Sequence, residues 1–168
     1  MDQSESFEEG LTALLPRLRR FAHTLSRNTP DADDLTQATI ERALRSRAQW
    51  EPGTRLDSWL YRIMRNLWID TVRSRRRKED LHAPVEQAEE IGADPRSAIE
   101  ASIDLQKVMA TMQRLPDEQR EVVALILIEG VGYRECSEIL GLPIGTVSSR
   151  LVRGRTALLQ MIGDPHGE

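Results

Sequence analysis

Apolar residues recur at intervals of three and four along nearly the whole chain, and this spacing restricts the fold more than any other feature. The members of the first series, which share one face of a predicted helix, are Leu11, Leu14, Leu15, Leu18, Ala22 and Leu25. Alternating β-branched segments are absent, and so are the Asn-Gly and Asp-Gly pairs typical of hairpins. The sequence therefore predicts an all-α protein.

Proline, glycine and polar residues divide this pattern into helices. In the N-terminal part, the first helix ends at Asn28-Thr29-Pro30 and a second is capped by Asp31 or a neighbour. After a Pro-Gly loop, a third helix runs from Leu56 to about Arg77. Further along, Asp94-Pro95 predicts the start of a fourth helix.

Residues 80–94 differ from the segments on either side. They contain five acidic residues, no Lys or Arg, one proline and one glycine, without sustained periodicity. We expect a flexible acidic linker here. It divides the chain into two small helical domains, residues 1–79 and 95–168.

The net charge of −4, taken alone, argues against a nucleic-acid partner, but the charges are distributed unevenly along the chain. Residues 1–79 hold 15 Lys and Arg against 12 Asp and Glu, whereas residues 80–104 hold one against seven. Nearly all the basic residues are arginines, whose planar fork suits phosphate and guanine. Basic surfaces can therefore exist on both sides of an acidic middle.

Cysteine content and hydropathy indicate a cytoplasmic protein without membrane insertion. Cys136 is the only cysteine, which excludes an internal disulfide framework. Residues 1–10 are acidic and polar, unlike a signal peptide. No apolar run approaches the roughly 20 residues that span a bilayer.

Residues 132–158 have the pattern of a helix-turn-helix. A short helix, Tyr133–Leu140, is followed by a tight turn and a second helix, Gly145–Leu159, while Gly141 fits the left-handed position that closes the first helix. The polar residues expected to face outward from the second helix are Thr146, Ser148, Ser149, Arg150 and Arg153. Such a helix can enter the major groove, with Arg153 on guanine and Arg150 on phosphate. A plain helical hairpin with solvated arginines is the simpler alternative.

The third helix is apolar on one side and basic on the other. Its basic side is formed by Arg62, Arg65, Asn66, Arg73 and Arg76. An asparagine among arginines suits phosphate neutralisation combined with a base contact. A solvated basic face is again the plainer interpretation, and the nearby tryptophans fit packing better than base stacking.

Catalytic and metal-binding patterns are missing. Asp33-Asp34 and Glu89-Glu90 are carboxylate pairs of adjacent residues, and because adjacent residues on a helix point apart, they make poor acid–base partners. The three histidines lack metal-ligand spacing, and no glycine-rich loop precedes a lysine. We expect no enzyme activity, cofactor or metal.

Four motifs together resemble the extracytoplasmic-function sigma factors of bacterial RNA polymerase. In chain order they are Asp31-Ala-Asp-Asp-Leu-Thr-Gln37, Trp59-Leu-Tyr-Arg-Ile-Met-Arg-Asn66 with Asp70 and Arg73, Leu115-Pro-Asp-Glu-Gln-Arg-Glu-Val122, and Gly145-Thr-Val-Ser-Ser-Arg150. They have the family's order and spacing over about residues 10–160. The resemblance identifies the two domains as sigma region 2, a helical bundle, and sigma region 4, a helix-turn-helix.

The resemblance also implies partners and site residues. Region 2 would dock on the clamp helices of core RNA polymerase and open the −10 element, and region 4 would read the −35 element of promoter DNA. Core-docking residues would be Asp33, Asp34, Leu35 and Gln37. The −10 residues would be Arg62, Arg65, Asn66, Arg73 and Arg76, and the −35 residues would be Thr146, Ser148, Ser149, Arg150, Val152 and Arg153. An anti-sigma factor is the expected inhibitor, and the free chain is expected to be a monomer.

This chain departs from the family pattern at three places. Ala38 replaces a common acidic residue, Ser148 replaces a common Arg or Lys, and the Glu51–Arg55 loop resembles that of the general-stress branch in alphaproteobacteria. The chain ends soon after region 4, so we expect no C-terminal regulatory domain.

Two other classes of protein share parts of the pattern. A sigma mimic that sequesters an anti-sigma factor would be expected to lose its basic readers, which this chain keeps. A dimeric helix-turn-helix repressor would need a dimerisation helix and an effector domain.

Overall fold

A computed structural model describes residues 3–81 and 103–163, and every regular element in these ranges is helical. The chain divides into two compact units, Met1–Gly92 and Ala93–Glu168. The expected all-α class with two helical domains is thereby confirmed. The predicted linker lies, from residue 82 onward, outside the described residues, and so does the start of the predicted fourth helix.

Three mutually packed helices build the first unit: α1 (Gln3–Ser26), α2 (Thr29–Arg45) and α3 (Leu56–Leu81), with one 3₁₀ turn at Arg47–Gln49. The bundle has this form because each helix carries one apolar stripe that only the other two can cover. Its most deeply buried side chains are Phe7, Leu18, Phe21, Leu60, Tyr61 and Met64.

The junction between α1 and α2 is closed by Asn28. Its side-chain oxygen accepts the backbone N–H of Asp31 at 2.9 Å, and its amide donates to the Asp31 carboxylate at 2.8 Å. Asn28 is therefore the helix cap, three residues before Asp31. The third helix also runs beyond Arg77 to Leu81, because no proline or glycine interrupts it there.

The second unit consists of α4 (Ile103–Met112), α5 (Asp117–Val123), α6 (Tyr133–Leu140) and α7 (Ile144–Gly163). A π-helical turn, Ala124–Ile128, continues α5. Helix α7 packs against the other three helices, and Val147, Leu151 and Leu158 are buried as predicted. The apolar run 122–128 is a core element only in its first part, since Leu127 is about half exposed.

Two glycines position the helix-turn-helix. Gly141 has φ 65° and donates its N–H to the carbonyl of Ser137, so it closes α6 in the predicted left-handed conformation. Gly154 lies in the middle of α7, where a Cβ would come within 2.7 Å of Val123 Cγ2. The missing side chain lets α7 approach α5 closely.

Candidate nucleic-acid interface

The basic side of α3 faces solvent, as the sequence predicts. Arg62, Asn66, Arg73 and Arg76 are exposed, while Arg65 is half-buried. On the same side, Asp70, Arg73 and Arg77 line an open depression of about 430 Å³. The opposite side packs into the bundle through Leu60 and Met64. Helix α3 therefore presents a cationic surface of fixed orientation to a polyanion.

A tight turn precedes this surface. The Glu51-Pro52-Gly53-Thr54 segment places glycine at φ 88°, and both the N–H and the hydroxyl of Thr54 donate to the carbonyl of Glu51, at 3.2 and 2.6 Å. Proline before a positive-φ glycine is the sequence of a type II turn. All five residues of the Glu51–Arg55 loop are exposed.

The Asp57 carboxylate joins this loop to two helices. Arg55 donates through Nε to Oδ1 at 3.1 Å and through Nη2 to Oδ2 at 2.8 Å. Arg17 of α1 donates to Oδ2 at 3.3 Å, and the Ser58 N–H donates to Oδ1 at 2.8 Å. Burial alone would raise the pKa of Asp57, but these donors and the two guanidinium charges outweigh it and lower the pKa from its ordinary value.

Arg75 has a different role from its neighbours in the cationic cluster. Its guanidinium binds the Asp31 carboxylate with two hydrogen bonds of 2.8 and 2.7 Å and lies 5.7 Å from the centre of the Trp68 ring. The hydrogen bond from Arg75 is the largest cause of the lowered pKa of Asp31. The sequence pattern does not reveal this link between Arg75 and Asp31. It shows only that position 75 falls on the apolar side of α3 by helical periodicity.

The expected docking residues on α2 do not all reach the surface. Asp33, Asp34 and Gln37 are exposed. Leu35 is only 5% exposed and belongs to the core of the bundle. Its side chain packs α2 into the bundle, and the docking role expected of Leu35 stays a prediction.

In the second unit, the residues of α7 that are predicted to contact DNA differ in their exposure. Ser149, Val152 and Arg153 are exposed, whereas Thr146 and Ser148 are half-buried. The Arg153 guanidinium lies over the preceding turn, where it donates to the carbonyl and the hydroxyl of Ser149 at 3.4 and 3.3 Å. These contacts are long, so the side chain can be redirected to a base edge at little cost.

Arg150 is held more firmly than the sequence suggests. Its side chain is 20% exposed, and Nη2 lies 3.6 Å from Oε2 of Glu118 at the start of α5. A phosphate would have to compete with this carboxylate. Glu118 and Arg150 are 32 positions apart in the chain, so no local sequence pattern reveals their pairing.

Two further ionisable groups in this unit, Arg120 and Cys136, are buried. Arg120 is 2% exposed and donates to the carbonyl of Leu115 at 2.8 Å and to Asp117 at 2.5 Å, tying the start of α5 to the preceding turn. Burial, with the charge of Glu121, raises the pKa of the Cys136 thiol to about 12. The thiol is therefore a core group.

Residues 3–81 and 103–163 contain no helix that is long and apolar enough to cross a membrane. Within the same ranges, no three His, Cys, Asp or Glu side chains are grouped closely enough to hold a metal ion.

A helical bundle with a basic, asparagine-containing face, followed in the chain by a helix-turn-helix, is the arrangement of a DNA-binding protein. The chain matches the family models described as Sigma-70 region 2, over residues 11–78, and Sigma-70 region 4, over residues 105–158. The ECF sigma factor EcfG of Rhodopseudomonas palustris is 34% identical to it over 96% of this chain and 88% of that protein. SigE of Mycolicibacterium smegmatis is 38% identical over 91% of this chain and 60% of that longer protein.

One solved structure is similar over nearly the full length. It is the sigma factor RpoE of Bartonella quintana in complex with the anti-sigma factor NepR, with a TM-score of 0.81 and 31% identity over 96% of this chain and 99% of that one. The chain belongs to the extracytoplasmic-function sigma factors of RNA polymerase.

Proposed function

We propose that this chain binds core RNA polymerase and directs it to promoters, with residues 1–81 opening the −10 element, residues 95–168 reading the −35 element and the segment between them linking the two. The observation that carries the proposal is the combination, in one chain, of an exposed basic face on α3 and an outward-facing Arg153 on α7. The polymerase supplies the catalysis, and the chain acts in the cytoplasm.

The residue roles follow from exposure. Asp33, Asp34 and Gln37 form the polymerase-docking surface on α2, while Leu35 supports it from the core. Phosphates of the −10 region meet the exposed arginines of α3, and Asn66 takes the edge of an unstacked base. The −35 element is read by Ser149, Val152 and Arg153, with Thr146, Ser148 and Arg150 at the margin of the contact.

An anti-sigma factor is the proposed inhibitor. The similar Bartonella protein was crystallised in complex with the anti-sigma factor NepR, which supports this class of partner. A sigma mimic would not need exposed DNA-reading side chains, whereas Arg62, Asn66 and Arg153 are all exposed here. Their exposure favours the DNA-binding function.

The proposal is tested by adding the purified chain to core polymerase and mapping transcription starts across the source genome. New starts that share a −10 and a −35 sequence are expected. A chain that binds core enzyme without producing such starts, or that binds no core enzyme, would overturn the proposal.

The role of Asn66 has a separate test. Asn66→Ala is expected to permit closed-complex binding but to weaken strand opening, because the amide that receives the unstacked base is lost. Permanganate footprinting should show weaker thymine reactivity near the start site. Reactivity equal to that of the wild-type protein would contradict the assignment.

A further inference from the structure

The Asp57 cluster connects three parts of the first unit at one carboxylate. Its donors come from α1 through Arg17, from the end of the Glu51–Arg55 loop through Arg55, and from the first turn of α3 through Ser58. The Asp57 side chain is 10% exposed, so solvent screens these bonds weakly. The loop is therefore attached to the bundle by a nearly buried carboxylate.

Further contacts hold both sides of the attachment. The Arg17 guanidinium lies 5.7 Å from the ring centre of Tyr61, which is fully buried and packs edge-on against Phe21. On the loop side, the two bonds from Thr54 to Glu51 close the turn. A rigid anchor joined to a closed turn leaves the loop little freedom to move relative to α3.

The attached loop adjoins the basic side of α3. Arg55 accepts the N–H of Trp59 through its carbonyl at 3.3 Å, so it stands at the first turn of α3, seven residues before Arg62. Two helical turns separate residues seven apart, which places Arg55 and Arg62 on the same side. Asn66 follows one turn later, and all three are exposed.

We propose that Asp57 is a positioning residue for −10 recognition: it fixes the Glu51–Arg55 loop against α1 and α3, so that the loop and Asn66 form one preorganised receptor for an unstacked base. This inference rests on the proposed function. Asp57 does not touch DNA; it acts through Arg55. Preorganisation of this kind lowers the cost of ordering the loop when the base binds.

The direction in which DNA binding changes when Asp57 is neutralised distinguishes a positioning role from a simple effect of charge. A carboxylate near DNA repels phosphate, so its neutralisation should strengthen binding if charge alone matters. If position matters, Asp57→Asn should weaken recognition although it removes a negative charge. Asp80→Asn is the matched control, because Asp80 is an exposed carboxylate near the end of the same helix.

The test uses the full chain with core polymerase on a promoter found by the start mapping, with its −10 element varied at each position. Asp57→Asn should lower open-complex formation about tenfold, the size expected from one lost charge-assisted hydrogen bond, and should flatten the −10 base preference. Core binding and −35 preference should stay unchanged. Asp80→Asn should equal or exceed the wild-type protein.

Arg55→Ala is a second variant, included in case the Asp57→Asn protein does not fold. It breaks the attachment from the loop side while Arg17 and Ser58 still satisfy the buried carboxylate. It should reproduce the Asp57→Asn defect, and the double variant should be no worse than either single one. Circular dichroism reports whether each variant is folded. If Asp57→Asn is not, the −10 base preference of Arg55→Ala decides the question, because loss of a cation alone weakens binding to all sequences alike and would not flatten that preference.

Three results would overturn the inference: an Asp57→Asn protein that behaves like Asp80→Asn, an Arg55→Ala protein that is normal, or defects that add in the double variant. A wild-type chain that starts no transcription would instead refute the proposed function, so the two failures are distinguishable.

Discussion

Arg75 and Arg76 are adjacent in the sequence and have the same charge, yet the helix gives them different environments. Arg76 is exposed on the basic side of α3. Arg75 points to α2, where Asp31 receives both of its hydrogen bonds and Trp68 lies beneath its guanidinium. A rotation of 100° per residue is enough to separate a solvent-facing arginine from one that joins two helices.

This difference predicts opposite phenotypes. Arg75→Ala should lower the free energy of unfolding by about 1 kcal/mol near neutral pH, a modest value because solvent screens a half-exposed guanidinium. Arg76→Ala should instead weaken DNA binding and leave stability unchanged.

The stability effect of Arg75→Ala should depend on pH. The hydrogen bond from Arg75 lowers the pKa of Asp31 in the folded protein, so the stabilisation is complete above the ordinary pKa of a carboxyl group and is lost as the pH falls through the lowered pKa. Thermal unfolding of the wild-type and Arg75→Ala proteins should therefore converge in acid. A difference in Tm that is constant from pH 7 to acid would contradict the assignment.

Glu118 offers a gain-of-function prediction. If Arg150 binds phosphate as proposed, Glu118 competes for its guanidinium, and Glu118→Gln should raise −35 DNA affinity by up to about fivefold for so exposed a carboxylate. The salt dependence should steepen at the same time, since one more cation becomes available to phosphate. Fluorescence anisotropy at several salt concentrations measures both. Unchanged affinity and slope would show that the pair does not restrain Arg150.

At the residue scale, the sequence predicted exposure better than it predicted pairing. Periodicity placed Arg62, Asn66 and Arg153 on outer faces, because helical position alone decides that. The Arg75–Asp31 and Arg150–Glu118 pairs join residues far apart in the chain, and they depend on how helices pack. Local spacing carries no information about such pairs.

At the scale of elements, the approach of α7 to α5 depends on Gly154. Alanine in place of a helical glycine usually stabilises by about 0.5–1 kcal/mol. Here the added Cβ would lie 2.7 Å from Val123 Cγ2 and 3.3 Å from Gln119 Cβ, so the helices must separate. Gly154→Ala should therefore destabilise the second unit by about 1–3 kcal/mol.

The control for this substitution is Gly145→Ala on the same helix, where an added Cβ meets nothing within 4 Å. It should be neutral or stabilising in urea unfolding monitored by circular dichroism. Equal unfolding free energies of the Gly154→Ala and Gly145→Ala proteins would show that the space between α5 and α7 can accommodate an added Cβ.

Element types were predictable because apolar spacing and Pro or Gly breakers are local signals. The ends of the helices were less predictable. Helix α3 extends beyond its predicted end at Arg77, and the cap of α2 is Asn28, a residue that the sequence pattern assigns to the end of α1. The π-helical turn at Ala124–Ile128 had no sequence signal, since a solid apolar run fits several helical forms.

At the scale of the whole molecule, two units on one chain allow an inhibitor to bind both at once. We expect an anti-sigma factor that competes with core polymerase and binds the intact chain much more tightly than fragments 1–81 and 95–168. The second contact would be intramolecular and would benefit from a high effective concentration.

Co-purification from the native host without inducing stress, followed by titration of the intact chain and of both fragments, measures this gain. A fragment that binds as tightly as the whole chain would show that the inhibitor uses one unit alone.

The burial of Cys136 has a practical consequence for following such events. With a pKa of about 12, only about one thiol in 10⁵ is ionised at pH 7, and maleimide dyes react with the ionised form. Because this is the single cysteine in the chain, the native protein should hardly react with thiol-specific dyes. A cysteine introduced at an exposed position of each unit could therefore carry a fluorophore pair without removal of the natural thiol. Single-molecule energy transfer would then record when polymerase or inhibitor engages the chain.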